Sequence, residues 1–576
     1  MIMQTNRLQA LFLSCLMACC SLTASAQEEI IEYEGNKYTI HVERLNPDAE
    51  MTLLDVLHIC PELMSSDGKT LSADYLLSVD DIFLSVDYEP LLEGIKACDL
   101  KEVIVCNYGA VLNATDGTIG TIDLQFKEGE GLTGKFSLNC STYGNGRIYA
   151  DVASRGENVT LRAFAQTDLQ YGKANTLSES TITSRHGVEN AMLFIDWQMT
   201  ENDLLKLKLS QGYGEQKNRQ RGHTIYIEDE LSRQQWGEIV TTYERTLNEQ
   251  EAGLYFEAGM NYTNNTFDTQ GERTALPWWI AECSIPFLNQ ALWMTAGYEC
   301  CYTNLWYEGI NREQNLYSDL YVQLDYQKGP WIISVGDRFR HNNYWDKHYD
   351  TGDRSLWSYH RNDHAWHASV GYKKGRHFVQ GTFSRTFFNP LVSAFQDYLD
   401  DGSIQYNTDY KTNLAWRLEA RYTYQTEQIV VTGRLTHTLL SDMPSSDESL
   451  TGLGASVTWN KGLLRLTGGA NVYHQHISLD EAVDDTFFTL KFAPTLLFGK
   501  GFRLSSVLLY NSARDISDKH AHFFASVKVN KDLGKRCNVF ADFHDLTGQP
   551  TGESYHLTQS FKNRAVTLGL TYYPWR

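Results

Sequence analysis

Over most of the chain, apolar and polar side chains alternate with a period of two, in stretches much longer than a soluble strand needs. The segment Asn413 to Leu439 shows this best. Leu414, Trp416, Leu418, Ala420, Tyr422 and Tyr424 share one face, and Arg417, Glu419, Arg421 and Thr423 share the other. A β-strand sends successive side chains to opposite faces, so this arm must lie between an oily phase and a wet one. After the polar turn Gln425 to Gln428 the return arm sets Val431, Gly433 and Leu435 against Thr432, Arg434 and Thr436, and helical spacing fits neither arm. Soluble strands run to about five or six residues. Arms of about ten match tilted strands that cross a bilayer.

The same pattern recurs from Gly129 to Arg576. Leu132, Phe136 and Leu138 oppose Thr133, Lys135 and Ser137, and Leu205, Leu207 and Leu209 oppose Lys206 and Lys208. Phe488 to Phe498 forms another oily row, in which Pro494 removes a ladder bond and calls for a bulge or local break. Short turns (Arg155 to Asn158, Thr200 to Asp203, Gln327 to Pro330, Asn460 to Gly462) alternate with longer polar segments (173 to 187, 216 to 232, 343 to 362, 388 to 411, 546 to 563). Transmembrane barrels have this asymmetry, with tight turns on one side and longer loops on the other, and counting arms gives about 22, an even number that permits antiparallel closure. A barrel of that size has a wide lumen, normally plugged. The expected fold is therefore an all-β transmembrane barrel of residues 129–576.

The N-terminal part reads differently. Arg7, the apolar run Leu8 to Leu22 and Ala24-Ser25-Ala26 make residues 1–26 a signal peptide, cleaved before Gln27; Cys19 is a weaker lipidation candidate. Residues 37–128 are expected to form a small α+β domain, with a helix at Met51 to Ile59, paired strands in Tyr75 to Asp87, a helix at Glu89 to Ala97, and strands at Lys101 to Cys106 and Thr121 to Phe126. Residues 27–36 are left as an N-terminal segment.

Composition narrows the function. A net charge of −21 argues against a nucleic-acid partner. With 21% charged residues and no long apolar run after the leader, a bundle of membrane helices is excluded; a barrel is not, because half of each strand faces water. The eight cysteines beyond the leader have no metal-type spacing and read as small apolar residues.

Several segments resemble the TonB-dependent receptors, specifically a compact outer-membrane β-barrel family of Bacteroidetes-type bacteria. MTLLDVLHICPEL (51 to 63) is similar to a helix of that family's plug, with Glu62 in place of the usual glycine. LKEVIVCNYGAVLNATDGTIGTIDLQFKE (100 to 128) is similar to its plug strand segment, SRTFFNPLVSAF (384 to 395) to a barrel motif, and AVTLGLTYYPWR (565 to 576) to its closing strand. The chain ends in Trp575 and Arg576, not the family's terminal phenylalanine. The resemblance implies a plug at 37–128, localisation in the outer membrane, and a Ton box near the mature N-terminus through which the TonB complex draws energy. Glu28, Glu29, Ile30 and Ile31 are the candidate contact.

Candidate ligand chemistry is sparse. His341, His348, Trp357, His360 and His364 fall in a long polar segment expected to be an external loop, where imidazoles and aromatic faces could take haem, a metal chelate or a sugar. A girdle-flanking loop explains the same residues, and metal binding stays open. Arg162, Arg417, Arg421, Arg434 and Arg465 face the lumen, either to attract an anion or to pair with carboxylates and the plug. No nucleotide loop or GxSxG is present, so no enzyme activity and no cofactor are expected. The expected function is energised uptake of an unknown small extracellular ligand through a plugged barrel, with membrane lipid, the TonB complex and a surface lipoprotein as candidate partners. The alternative is a surface-binding or structural barrel that does not transport.

Overall fold

The N-terminal sheet begins earlier than the sequence suggests. In the computed structural model, strand β1 (Ile31–Glu34) pairs antiparallel with β2 (Lys37–His41), because Ile31 and Tyr33 on one side of it are buried and Glu32 on the other is exposed. Residues 31–34 of the N-terminal segment are thus a strand of this sheet. The structure describes most of residues 29–575. Outside the described set lie residues 1–28, the runs 64–74, 84–94, 108–119, 388–395, 407–413, 514–520 and 548–564, residue 576, and short pieces of other turns and loops. The signal peptide, Glu28 and most of the helix expected at Glu89 to Ala97 therefore lie outside the described residues.

Four more strands complete this sheet: β3 (Tyr75–Val79), β4 (Ile82–Phe83), β5 (Leu100–Asn107) and β6 (Gly120–Phe126), in the order β1-β2-β5-β6-β3-β4. All neighbours are antiparallel except β3 and β6, which run parallel. The helix expected over 51–59 shortens to Leu53–Leu57. Thr52 starts it: its hydroxyl accepts the Asp55 N–H at 3.2 Å while the Asp55 carboxylate accepts the Thr52 N–H at 2.9 Å, the reciprocal arrangement that satisfies helix-end donors.

The barrel follows: β7 (Gly131–Ser141), β8 (Gly146–Arg155), β9 (Val159–Asn175), β10 (Thr181–Thr200), β11 (Asp203–Arg221), β12 (Ile227–Thr246), β13 (Gly253–Phe267), β14 (Gln270–Phe287), β15 (Leu292–Tyr307), β16 (Asn311–Lys328), β17 (Trp331–His348), β18 (Leu356–Lys374) and β19 (His377–Phe387). A small external hairpin, β20 (Gln396–Tyr398) and β21 (Ile404–Tyr406), precedes β22 (Leu414–Gln425), β23 (Ile429–Ser441), β24 (Asp447–Lys461), β25 (Leu464–Ser478), β26 (Val483–Phe498), β27 (Phe502–Asn511), β28 (His522–Asp532), β29 (Cys537–His544) and β30 (Ala565–Trp575). The 22 wall strands close into one antiparallel cylinder, with β30 pairing back onto β7.

The outward faces carry the oily rows read from the sequence. Leu418, Leu138, Leu320, Leu453 and Leu568 are among the most exposed large apolar side chains, while Glu419, Arg421 and Thr423 between them point inward and are buried. Exposed leucines at this density are a membrane surface, not a soluble one. Pro494 behaves as expected: the ladder from β26 to β27 runs to Phe492–Leu508, skips two residues and resumes at Thr495–Ser505 in the same register. Pro277 makes a matching gap between Ala275–Asn304 and Trp278–Cys301.

The long polar segments are not all loops. β9 runs on to Asn175 and β10 starts at Thr181, and β11, β12, β17 and β18 likewise continue through segments expected to be irregular. Above the membrane both faces of a hairpin are wet, so the alternation fades while the backbone ladder continues. The eight cysteines are free thiols, and neighbouring Cys300 and Cys301 point to opposite faces of β15, Cys301 being buried on the lumen side.

Candidate functional site

The N-terminal domain meets lumen-facing side chains on strands around the cylinder, and its two halves do so with different chemistry. The earlier half, residues 29–63, uses mostly neutral hydrogen bonds to β22 through β25. The Ile31 N–H donates to Gln425 Oε1 at 2.9 Å, and Gln425 Nε2 donates back to the Ile31 carbonyl at 2.6 Å. Tyr33 shares a hydrogen bond with Thr423 at 2.6 Å and stacks on Phe378 with centroids 3.7 Å apart. Ser456 donates to the Ile59 carbonyl at 2.9 Å; Asn460 and Arg465 donate to the Leu45 carbonyl at 3.0 and 3.1 Å.

The later half, residues 80–126, meets cationic side chains of β7, β9 and β11. Lys135 pairs with Asp99, Arg162 lies 4.0 Å from Asp80 and 3.6 Å from Asp151, and its guanidinium stacks 3.9 Å above the Phe126 ring. Lys206 donates to the Asp80 carbonyl at 3.3 Å and pairs with Glu244 at 3.0 Å. Four of the five lumen arginines singled out in the sequence, Arg162, Arg421, Arg434 and Arg465, thus engage the domain or wall carboxylates: Arg434 reaches Glu419 at 2.9 Å, and Arg421 pairs with the same carboxylate while covering Tyr38.

Asp80 turns the backbone at a φ of 47° and accepts the Phe126 N–H at 3.2 Å. Burial raises its carboxyl to about 7, against the lowering effect of Arg162 and with Asp123 and Asp196 adding to the rise. A carboxyl whose pKa rises on folding contributes most when it is protonated. Its contribution is whole below the ordinary value of 3.8 and is lost as pH climbs to about 7. Asp80→Asn should therefore raise the melting temperature of the domain relative to wild type at pH 8 and leave it unchanged at pH 4. Equal shifts at the two pH values would rule this out.

The candidate Ton-box residues within the described set, Glu29, Ile30 and Ile31, are held, not presented. Ile30 and Ile31 are buried in the domain core, and Glu29 pairs with Lys373 at 2.6 Å near the turn between β18 and β19. The histidine set is divided by the period of the strands that carry it. His341, His360 and His364 project from the outer face of β17 and β18, where His341 hydrogen-bonds Asn362 at 2.8 Å and His364 lies 3.9 Å from Asp337. Trp357 lies on the lumen face, stacked 5.9 Å from Tyr359 and packed with Tyr344. His348 ends β17, its side chain outside the described set. The expected external loop is therefore a strand hairpin, and it divides the four described side chains between its two faces. Among the described residues no group of three or more His, Cys, Asp or Glu could hold a metal ion.

Sequence reasoning missed the charge network on the lumen wall of β15 to β17. Arg338 pairs with Glu299 and Asp319, and Arg340 clamps Asp319 with Nε and Nη2 at 2.7 and 2.6 Å. Both arginines are fully buried, and Arg340 stacks 4.0 Å from the Tyr317 ring. The four charges come from three strands, so no spacing in the sequence marks them.

Neither protein-family models nor curated protein sequences give a match to the chain. Solved structures do match. The siderophore receptor PiuA from Acinetobacter baumannii superposes with a TM-score of 0.72 at 9% identity, covering 96% of this chain and 99% of that one. The ferric yersiniabactin uptake receptor FyuA from Yersinia pestis gives 0.70 at 11%, covering 94% and 98%, and the copper transporter OprC gives 0.68 at 10%, covering 96% and 100%. At such identities the likeness establishes a shared architecture over nearly the whole chain: a closed 22-strand cylinder preceded by an N-terminal domain.

Proposed function

We propose that the chain is an outer-membrane receptor that imports a ligand through its barrel, with residues 37–128 as the plug and the N-terminal strand as the handle by which the TonB complex displaces it. The observation that carries this reading is the seating of the N-terminal domain against the lumen wall from β7 to β25, with its first strand clipped to Gln425 and Lys373. A domain fixed there obstructs the lumen, and an obstruction tied down at its own N-terminus can be removed by pulling on that end. The similar structures are named for siderophore and copper uptake, which supports transport and leaves the cargo open, since cargo is chosen by side chains and not by fold. The compact Bacteroidetes-type subfamily and a surface lipoprotein partner belong to the same proposal and rest on the sequence resemblance.

Deleting residues 27–34 should abolish growth on whichever single carbon or iron source depends on the intact gene, while the heat-resistant barrel band on a mild-SDS gel persists. Unchanged growth would refute energised uptake. A specific observation favours the alternative, a binding barrel that does not transport: Ile30 and Ile31 are in the core, so a partner reaches them only after β1 detaches. Substituting Gln425 with alanine removes both backbone hydrogen bonds to β1. It should make this end more susceptible to protease from the periplasmic side, and no change would mean that the clip does not restrain the strand.

A further inference from the structure

One cross-strand row on the lumen wall holds several buried polar atoms that find no hydrogen-bond partner. Tyr149 pairs with Gln166, Gln166 with Asn190, Asn190 with Gly212 and Gly212 with Trp236, so these five residues form one continuous line across β8 to β12. Their side chains face inward and the four large ones are 1%, 4%, 7% and 6% exposed. Among the described residues, the Tyr149 hydroxyl, both terminal atoms of Gln166, the Asn190 amide nitrogen and the Trp236 indole nitrogen find no hydrogen-bond partner. Burying such a group unpaired is costly, and native proteins keep few of them. Five such atoms in one row, contributed by four strands, are not explained by the needs of the fold.

The row also has a position and a shape. β9 rises from the periplasmic turn at 156–158, so Gln166 lies farther out than Phe164, whose ring is 5.5 Å from Phe126 of the N-terminal domain. Gln166, Asn190 and Trp236 therefore sit to the extracellular side of the domain contact, while Tyr149 closes the core that the wall shares with the domain. The Trp236 indole lies flat over Gly212, where an added Cβ would come within 2.0 Å of the ring. Only glycine there lets the indole lie against the wall.

Its chemistry is neutral. The charges on either side are already paired: Arg147 with Asp168 at 2.7 Å one step outward, and Arg162 with Asp151 and Lys208 with Glu238 toward the domain. The indole and the Asn190 amide nitrogen only donate, while Gln166 and Tyr149 can do both. A complementary ligand is rich in acceptor oxygens, has some hydroxyls, carries no net charge, and offers an apolar face to indole.

We propose that this row binds a neutral saccharide, as the substrate-class determinant of the uptake reading above, on which it rests. The test uses the full mature chain in nanodiscs, titrated calorimetrically with maltotriose, cellotriose, mannotriose and xylotriose, with trigalacturonate as an anionic probe and a ferric tricatecholate complex as a metal-chelate probe. At least one neutral trisaccharide should bind. Gln166→Leu and Asn190→Leu should each weaken it about tenfold or more. The same variants should not lower the melting temperature of the ligand-free protein, because exchanging an unpaired buried polar group for an apolar one of similar shape is neutral or stabilising.

Three outcomes would overturn the proposal: no neutral trisaccharide binds, the leucine variants bind as wild type does, or they lose stability together with binding, which would mean these atoms are satisfied within the protein. Growth unaffected by deleting residues 27–34 would remove the transport reading and leave the binding result standing, so the two failures are distinguishable.

Discussion

Asp319→Ala is expected to destabilise the barrel by about 3–5 kcal/mol, the effect of removing one member of a fully buried ion pair. Asp319 accepts from Arg338 and clamps Arg340 through two nitrogens, and all three side chains are completely buried. Without it, Arg340 loses its bidentate partner and two guanidiniums are left sharing a site with Glu299 as the remaining wall carboxylate of the network. The midpoint temperature at which the compact band on a mild-SDS gel converts to the unfolded band should drop sharply. Asp319→Asn, which keeps an acceptor oxygen and loses the charge, should fall between the two. If alanine leaves the midpoint where it is, the network does not contribute to holding β16 and β17 together.

Leu453→Arg should have the second largest effect. Leu453 points outward between Leu435 and Val472 on the neighbouring strands, and all three are exposed. An arginine on the lipid face costs about 2–4 kcal/mol near the bilayer midplane and about 0–1 near its surface. The same substitution at Ser449, on the same face and four residues nearer the outside, should therefore be nearly silent. Guanidinium unfolding of the protein from lipid vesicles, followed by tryptophan fluorescence, measures both. Equal losses at the two positions would show that this face does not lie against a lipid core.

The wall was legible in the sequence where the two sides of a strand meet different solvents. Leu414 to Tyr424 declared itself because lipid demands one side-chain class and the lumen another. Beyond the membrane that contrast disappears, which is why β9, β10, β17 and β18 extend through stretches read as loops. The histidines illustrate a clue that was present and unused: strand parity alone separates His341 from its lumen-facing neighbours Asn342 and Tyr344, so a set chosen by proximity in sequence was bound to split. The alternation of Ile31 and Tyr33 with Glu32 likewise marked β1 as a strand. The row from Tyr149 to Trp236 and the Glu299, Asp319, Arg338 and Arg340 network had no such clue. Each is assembled from strands separated by turns of unrelated length, and only the register brings the members into line.

The seam between β30 and β7 binds the two ends of the barrel sequence. Ser137 and Thr571 share a hydrogen bond at 3.0 Å, and the Trp575 ring rests on Gly134, where a Cβ would approach to 2.8 Å. Until that seam forms, the sheet has two raw strand edges, each able to template the wrong neighbour. Closure of the wall therefore falls to the eleven residues of β30, whose pairing with β7 removes both margins at once.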